Sequence, residues 1–199
     1  ALHETIENHL ENKITQSDLK DFFGGAFQKE RSSLVEEIRD DHYDQFLLQG
    51  ANIVKKYKKY LDSYFGGNYE IVKCEEEIYE DVSEYAGNPF KFKGFIDLVV
   101  KKDDTYHILD WKSCTWGWDA KKKADKMIVY QLIYYKYYYA LKHNIDPSKI
   151  ECHFGLLKRT AKKNEIEIFK VTSGKRRTEN AMKLLVQALH NIDNGVYIK

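Results

Sequence analysis

Residues 92–114 read FKGFIDLVVKKDDTYHILDWKSC, and this stretch decides the fold. Two apolar, β-branched runs, residues 94–100 and 106–113, flank a polar turn at residues 101–105, the pattern of a β-hairpin. Each run carries an aspartate where a strand ordinarily places something apolar, Asp97 in the first and Asp110 in the second. Lys112 follows Asp110 by two residues. Strand side chains alternate faces, so Asp110 and Lys112 share one face while Leu109 and Trp111 take the other. Asp97 lies mid-strand on the preceding run, within reach across the hairpin.

Outward from the hairpin, the chain alternates helical and extended patterns. Leu2, Ile6 and Leu10 recur at helical spacing, and the stripe resumes over residues 44–65 before a Gly-Gly-Asn break at residues 66–68. Residues 69–82, 89–102 and 105–113 read as three successive strands. A helix is predicted from Asp119 to about Asn144, ahead of Asp146-Pro147. Two further strands are expected over residues 149–160 and 164–172, then a closing helix ending at Gly195. This order predicts an α/β fold, a mixed central sheet of about five strands flanked by helices. The 199 residues are expected to form one domain, with a helical part over 1–66 and the core over 67–199.

Net charge points to no partner, since 32 basic residues face 31 acidic ones. The distribution says more. Lysine and arginine cluster at residues 55–59, 121–126, 158–163 and 174–177, while acids cluster at 37–44 and 74–81. Basic runs converging on one groove would form a track for a polyanion; taken singly they are solvated faces. No run is long enough to span a bilayer, and no signal peptide is visible, so no membrane partner is expected. Cys74, Cys114 and Cys152 are widely separated and lack metal-type spacing, which fits a reduced, cytoplasmic setting.

Two aspartates and one lysine in a sheet core admit two explanations. Lys112 can pair with the acids in a salt bridge, but two carboxylates against one ammonium leave residual negative charge. A divalent cation neutralises that excess, and Mg²⁺ favours a few carboxylate oxygens together with water and substrate phosphate. Lys112 then orients the attacking water and stabilises charge developing on the phosphate. This is the chemistry of phosphodiester hydrolysis.

Asp97, a following strand, and Asp110-Trp111-Lys112 resemble the D…(D/E)xK core of the PD-(D/E)XK nuclease superfamily. Gln131-x-x-x-Tyr135 resembles the QxxxY motif of its RecB-like exonuclease branch, and His3 with Glu7 resembles that branch's N-terminal H-x-x-x-E signature. The resemblance implies a restriction-endonuclease-like core. It also implies a Mg²⁺- or Mn²⁺-dependent DNA exonuclease leaving 5′-phosphate and 3′-hydroxyl ends. A structure-specific endonuclease and a non-catalytic DNA-binding module are the alternatives. The metal would be held by His3, Asp97, Asp110 and the main-chain carbonyl of Trp111, with Lys112, Gln131 and Tyr135 completing the catalytic set. Glu7 would support the histidine, and Glu75 is the candidate for the strand-borne glutamate many members carry upstream.

Trp116 and Trp118 read equally as stacking platforms for unpaired bases or as core plugs. Lys121, Lys122, Lys123 and Lys126, following directly on the catalytic strand, are expected to contact the DNA backbone. The cysteines cannot supply the iron–sulfur cluster of some RecB-like nucleases, so none is expected in this chain. The implied partners are DNA, single-stranded or with free ends, and a recombination, replication or helicase protein. The expected setting is the cytoplasm of a bacterium or phage-infected cell.

Overall fold

A computed structural model describes residues 1–34 and 39–196. Glu37 and Ile38 of the acidic run at 37–44, and the last three residues of the chain, lie outside the described residues. Three helices, α1 (Leu2–Leu10), α2 (Leu19–Ser32) and α3 (Asp40–Phe65), precede the strands β1 (Glu70–Asp81), β2 (Lys91–Lys102) and β3 (Thr105–Cys114). Then come α4 (Ala120–Lys123), α5 (Lys126–His143), β4 (Ile150–Lys158), β5 (Ile166–Val171) and α6 (Lys175–Asp193).

The break after α3 comes from Gly66, whose φ of 75° sets a left-handed helix cap. The helix predicted from residue 119 is two helices. Asp119 accepts from the Lys122 N–H and Asp125 from the Met127 N–H, so a second N-cap restarts the chain in a new direction.

The five strands form one sheet in chain order, antiparallel throughout except that β3 and β4 run parallel. That parallel pair needs a crossover, which α5 supplies. Buried residues fall into two clusters, one per face. One holds Ile96, Ile108, Phe154, most of the buried α5 side chains and Ala181 of α6; the other holds Leu98, Leu109, Trp111 and the buried residues of α1–α3. Because α5 lies between the sheet and α6, it buries Val129, Leu132, Ile133, Tyr135, Tyr138 and Tyr139 around most of its circumference. On the other face Trp111 lies flat on Gly155, where a Cβ would stand 2.3 Å from the indole.

Candidate active site

The hairpin of β2 and β3 is paired only from Leu98↔Leu109 down to its turn at Lys102↔Thr105. Beyond Leu98 the strands part: the start of β2 stays with β1, while Asp110–Cys114 of β3 stay with β4. Asp97 sits at the fork. Its Oδ2 accepts the Trp111 N–H at 2.6 Å, replacing the ladder bond lost where the strands diverge. The facing rule also slips here. Ile96 packs on the α5 side and Leu98 on the α1–α3 side, although strict alternation would give both to one face. The partner strand breaks at the same level, where Glu75, between Cys74↔Leu98 and Glu76↔Ile96, has a φ of 48°. A non-glycine residue in that region is strained, and such strain concentrates at functional sites.

Into the fork come side chains from three other elements. From α1, His3 places Nδ1 3.5 Å from Asp97 Oδ1. From β3, Lys112 places Nζ 2.8 Å from Asp110 Oδ2. From α5, Gln131 bridges the motif: its Oε1 accepts from Lys112 Nζ at 3.0 Å, and its Nε2 lies 3.1 Å from Asp110 Oδ1 and 3.0 Å from the Tyr135 hydroxyl. Tyr135 can lie close because β2 carries Gly94, where a Cβ would meet its ring at 2.6 Å.

The electrostatics are unbalanced toward negative charge. Asp110 is 3% exposed, and burial, with Asp97 second, pushes its carboxyl up to about 6 despite the offsetting charges of Lys112 and His3. Its Oδ2 is answered only by the Lys112 ammonium at 2.8 Å, an ion pair rather than an aligned hydrogen bond. Burial and then Asp97 raise Glu75 as well. Burial opposes charge on the His3 imidazole, but the Asp97 hydrogen bond and the charges of Asp97, Asp110 and Glu75 outweigh it and raise its pKa. A buried carboxylate beside a second carboxylate and an imidazole, with one ammonium between them, suits a divalent cation.

The profile of the PD-(D/E)XK nuclease superfamily matches residues 1–198. The chain belongs to the PD-(D/E)XK nuclease superfamily. Among solved structures it is similar to that of an exonuclease candidate from Eubacterium rectale, with 14% identity, a TM-score of 0.51, and coverage of 92% of this chain and 67% of that one. It is also similar to SSO0001, with 13% identity, a TM-score of 0.42 and 86% coverage of each chain. No curated protein sequence matches it. The open five-stranded mixed sheet flanked by helices is the restriction-endonuclease-like fold of this nuclease superfamily.

Within this nuclease-superfamily chain, His3, Asp97, Asp110, Lys112, Gln131 and Tyr135 are brought together, and Glu75 joins them through its charge. Among the described residues no hydrogen bond joins Glu7 to the His3 imidazole; Glu7 lies among the charges of Glu11, Lys13, Glu4 and Lys73, and its own charge reaches Glu75. The two tryptophans part company. Trp116 is 77% exposed, whereas Trp118 packs on Phe154 and Phe169 as part of the core. The lysines divide too: Lys123 pairs with Glu167 and Lys122 lies over the Trp118 ring, while Lys121 and Lys126 are exposed.

Sequence reasoning missed a cleft of about 440 Å³ beside His3, lined by Phe23, Phe27, Phe46, Ser113 and Arg159. Arg159 stacks on Phe46 at 4.7 Å, and Phe23 fills the notch left by Gly50. The phenylalanines read as helix core by spacing, and Arg159 follows β4 far along the chain. Only the fold reveals that they meet at the site.

Proposed function

We propose that this chain is a Mg²⁺- or Mn²⁺-dependent DNA exonuclease that hydrolyses phosphodiester bonds to leave 5′-phosphate and 3′-hydroxyl ends. The observation that carries this reading is the convergence of two carboxylates at the strand fork, Asp97 and the buried Asp110, with Lys112 as the one ammonium paired to them. His3, Asp97, Asp110 and the carbonyl of Trp111 would hold the cation. When bound, it would polarise the scissile phosphate and acidify water. Asp97, anchored on the Trp111 N–H, fixes one carboxylate relative to the other. Gln131 holds the Lys112 ammonium beside Asp110, aiming positive charge where the phosphate gains negative charge. Tyr135 buttresses Gln131 and offers a neutral hydroxyl to a phosphate oxygen. Trp116 supplies an exposed ring for an unpaired base, and the cleft beside His3 offers aromatic walls with Arg159 for a neighbouring phosphate.

The exonuclease assignment draws on the QxxxY and H-x-x-x-E resemblances and agrees with the description of the Eubacterium rectale structure. The test is a digestion time course on end-labelled linear DNA and covalently closed circles. Digestion of linear DNA alone, supported by Mg²⁺ or Mn²⁺ and abolished by chelator, is expected. Cutting of circles would replace the exonuclease with an endonuclease on the same core. Full cleavage in excess chelator would refute the mechanism.

A further inference from the structure

A second constellation lies three residues up β3 from Asp110, on the opposite face of the sheet. His107 of β3 and Glu151 and His153 of β4 occupy one face of the parallel pair, with His107 opposite Glu151 and Leu109 opposite His153 in the ladder. His107 Nδ1 stands 3.0 Å from His153 Nε2, and Glu151 Oε2 stands 3.7 Å and 4.0 Å from these two nitrogens. The nuclease reading uses none of them.

We propose that His107, His153 and Glu151 bind a zinc-class transition-metal ion, clamping β3 and β4 together beneath the end of α3. Around a four-coordinate zinc, nitrogen and oxygen donors at about 2.0–2.1 Å stand about 3.3–3.4 Å apart. The three observed separations bracket that value, so small rotations of the side chains close the site. The surroundings are arranged as metal ligands require. His153 Nδ1 lies 3.0 Å from the Tyr64 hydroxyl, which holds the ring with its Nε2 toward His107. Glu151 gives its other oxygen to Lys170, leaving Oε2 with no hydrogen bond among the described residues. The Phe65 ring packs against both imidazoles.

An ordinary buried histidine pair is the competing account. It explains the contact between the imidazoles, one ring donating to the other, and the Lys170 ion pair explains one oxygen of Glu151, but neither accounts for Oε2 facing both rings. Two imidazoles and one carboxylate suit zinc, cobalt or nickel, whereas Mg²⁺ prefers oxygen donors. The two sites of this chain would therefore select different metals.

The experiment uses the full chain with Asp97→Asn and Asp110→Asn, so that the nuclease centre loses both aspartate carboxylates. After chelator treatment, Zn²⁺ is titrated by calorimetry and thermal unfolding is followed in parallel. One equivalent of Zn²⁺ should bind and raise Tm, while Mg²⁺ does neither. Co²⁺ at the same stoichiometry should give the visible absorption of a four-coordinate ion. Adding Glu151→Gln should abolish the Zn²⁺-dependent rise. Adding Tyr64→Phe instead should weaken Zn²⁺ binding by about 10–100-fold. Both positions are partly exposed, so neither change empties the core. The proposal is overturned if no Zn²⁺ binds to the double-asparagine variant, or if binding there ignores both added changes.

Discussion

Glu75 and Glu76 are neighbours in β1 with opposite surroundings. Glu76 accepts from Lys142 Nζ and His143 Nε2, each at 2.8 Å, from the end of α5. Burial works against its charge, but these two partners outweigh burial and lower its pKa. Glu75 turns the other way from a left-handed backbone, faces Asp97, Asp110 and Glu7, and has its pKa raised, by burial first. One carboxylate is architecture with its charge balanced inside the protein. The other belongs to a cluster that the protein leaves in deficit. A fold retains a deficit only if something outside the chain supplies the missing charge, so balance is the physical criterion that separates the two regions.

The largest expected effect falls on the unbalanced side. Asp110→Asn should reduce cleavage below detection, because it removes the buried carboxylate charge proposed to hold the cation. It should not destabilise the metal-free protein at neutral pH. Mn²⁺ should raise the Tm of the parent and leave that of Asp110→Asn nearly unchanged; an equal rise in both would place the metal elsewhere. Lys112→Ala follows. It should fold and retain the Mn²⁺-dependent rise, yet lose on the order of 10²–10³-fold in cleavage rate, as expected when one preorganised charge is withdrawn from a transition state. Loss of folding in Lys112→Ala would make the lysine a structural partner of Asp110 instead.

Stability against pH sharpens the contrast by its sign. In chelated protein Asp110 keeps its proton to about pH 6, whereas an unfolded aspartate releases it near pH 4. Between those values the folded state binds more protons, so stability falls as pH rises, by about 2–3 kcal/mol for this group. Denaturant melts of the parent and Asp110→Asn should therefore converge near pH 4 and diverge above pH 6, with the variant the more stable. Glu76 has the opposite sign. Its lowered pKa contributes stability above the ordinary glutamate value that is lost in acid. Glu76→Gln should cost about 1–2 kcal/mol at pH 7 and progressively less below pH 4, since hydrogen bonds from charged partners are replaced by weaker ones. A neutral Glu76→Gln at pH 7 would erase the distinction.

Much of this was legible before any coordinates. Alternating apolar runs and glycine breaks fixed the strands, and the Asp97, Asp110 and Lys112 spacing pointed to the site because charge in a strand core is costly. What the sequence hid was long-range or backbone in origin. The fork depends on where pairing between β2 and β3 stops, and no residue announces it. The left-handed turn at Glu75 occurs without a glycine. Phe23, Phe46 and Arg159 meet only through the packing of α2, α3 and the end of β4. Trp118 and Trp116 look alike on paper, and only the fold commits the first to Phe154 and exposes the second.

The smallest effect carries the same criterion to the lysines of residues 121–126. Lys123 is balanced by Glu167, while Lys121 and Lys126 are exposed in the segment that follows β3, and both have charge to give to a polyanion. A lysine that neutralises a phosphate releases condensed counterions, and each such contact contributes about 0.7 to the log–log slope of affinity against salt for single strands. Lys121→Ala with Lys126→Ala should therefore flatten that slope by about 1–1.5, measured with single-stranded DNA and Ca²⁺ in place of the catalytic ion. Lys123→Ala should change it by much less, because its ammonium must first leave a carboxylate. It should instead lower Tm slightly through the loss of a half-exposed ion pair. If Lys123→Ala flattens the slope as much as the pair does, its contact with Glu167 is exchanged for phosphate on binding. Intramolecular balance would then fail to distinguish structural from functional charge at this edge of the protein.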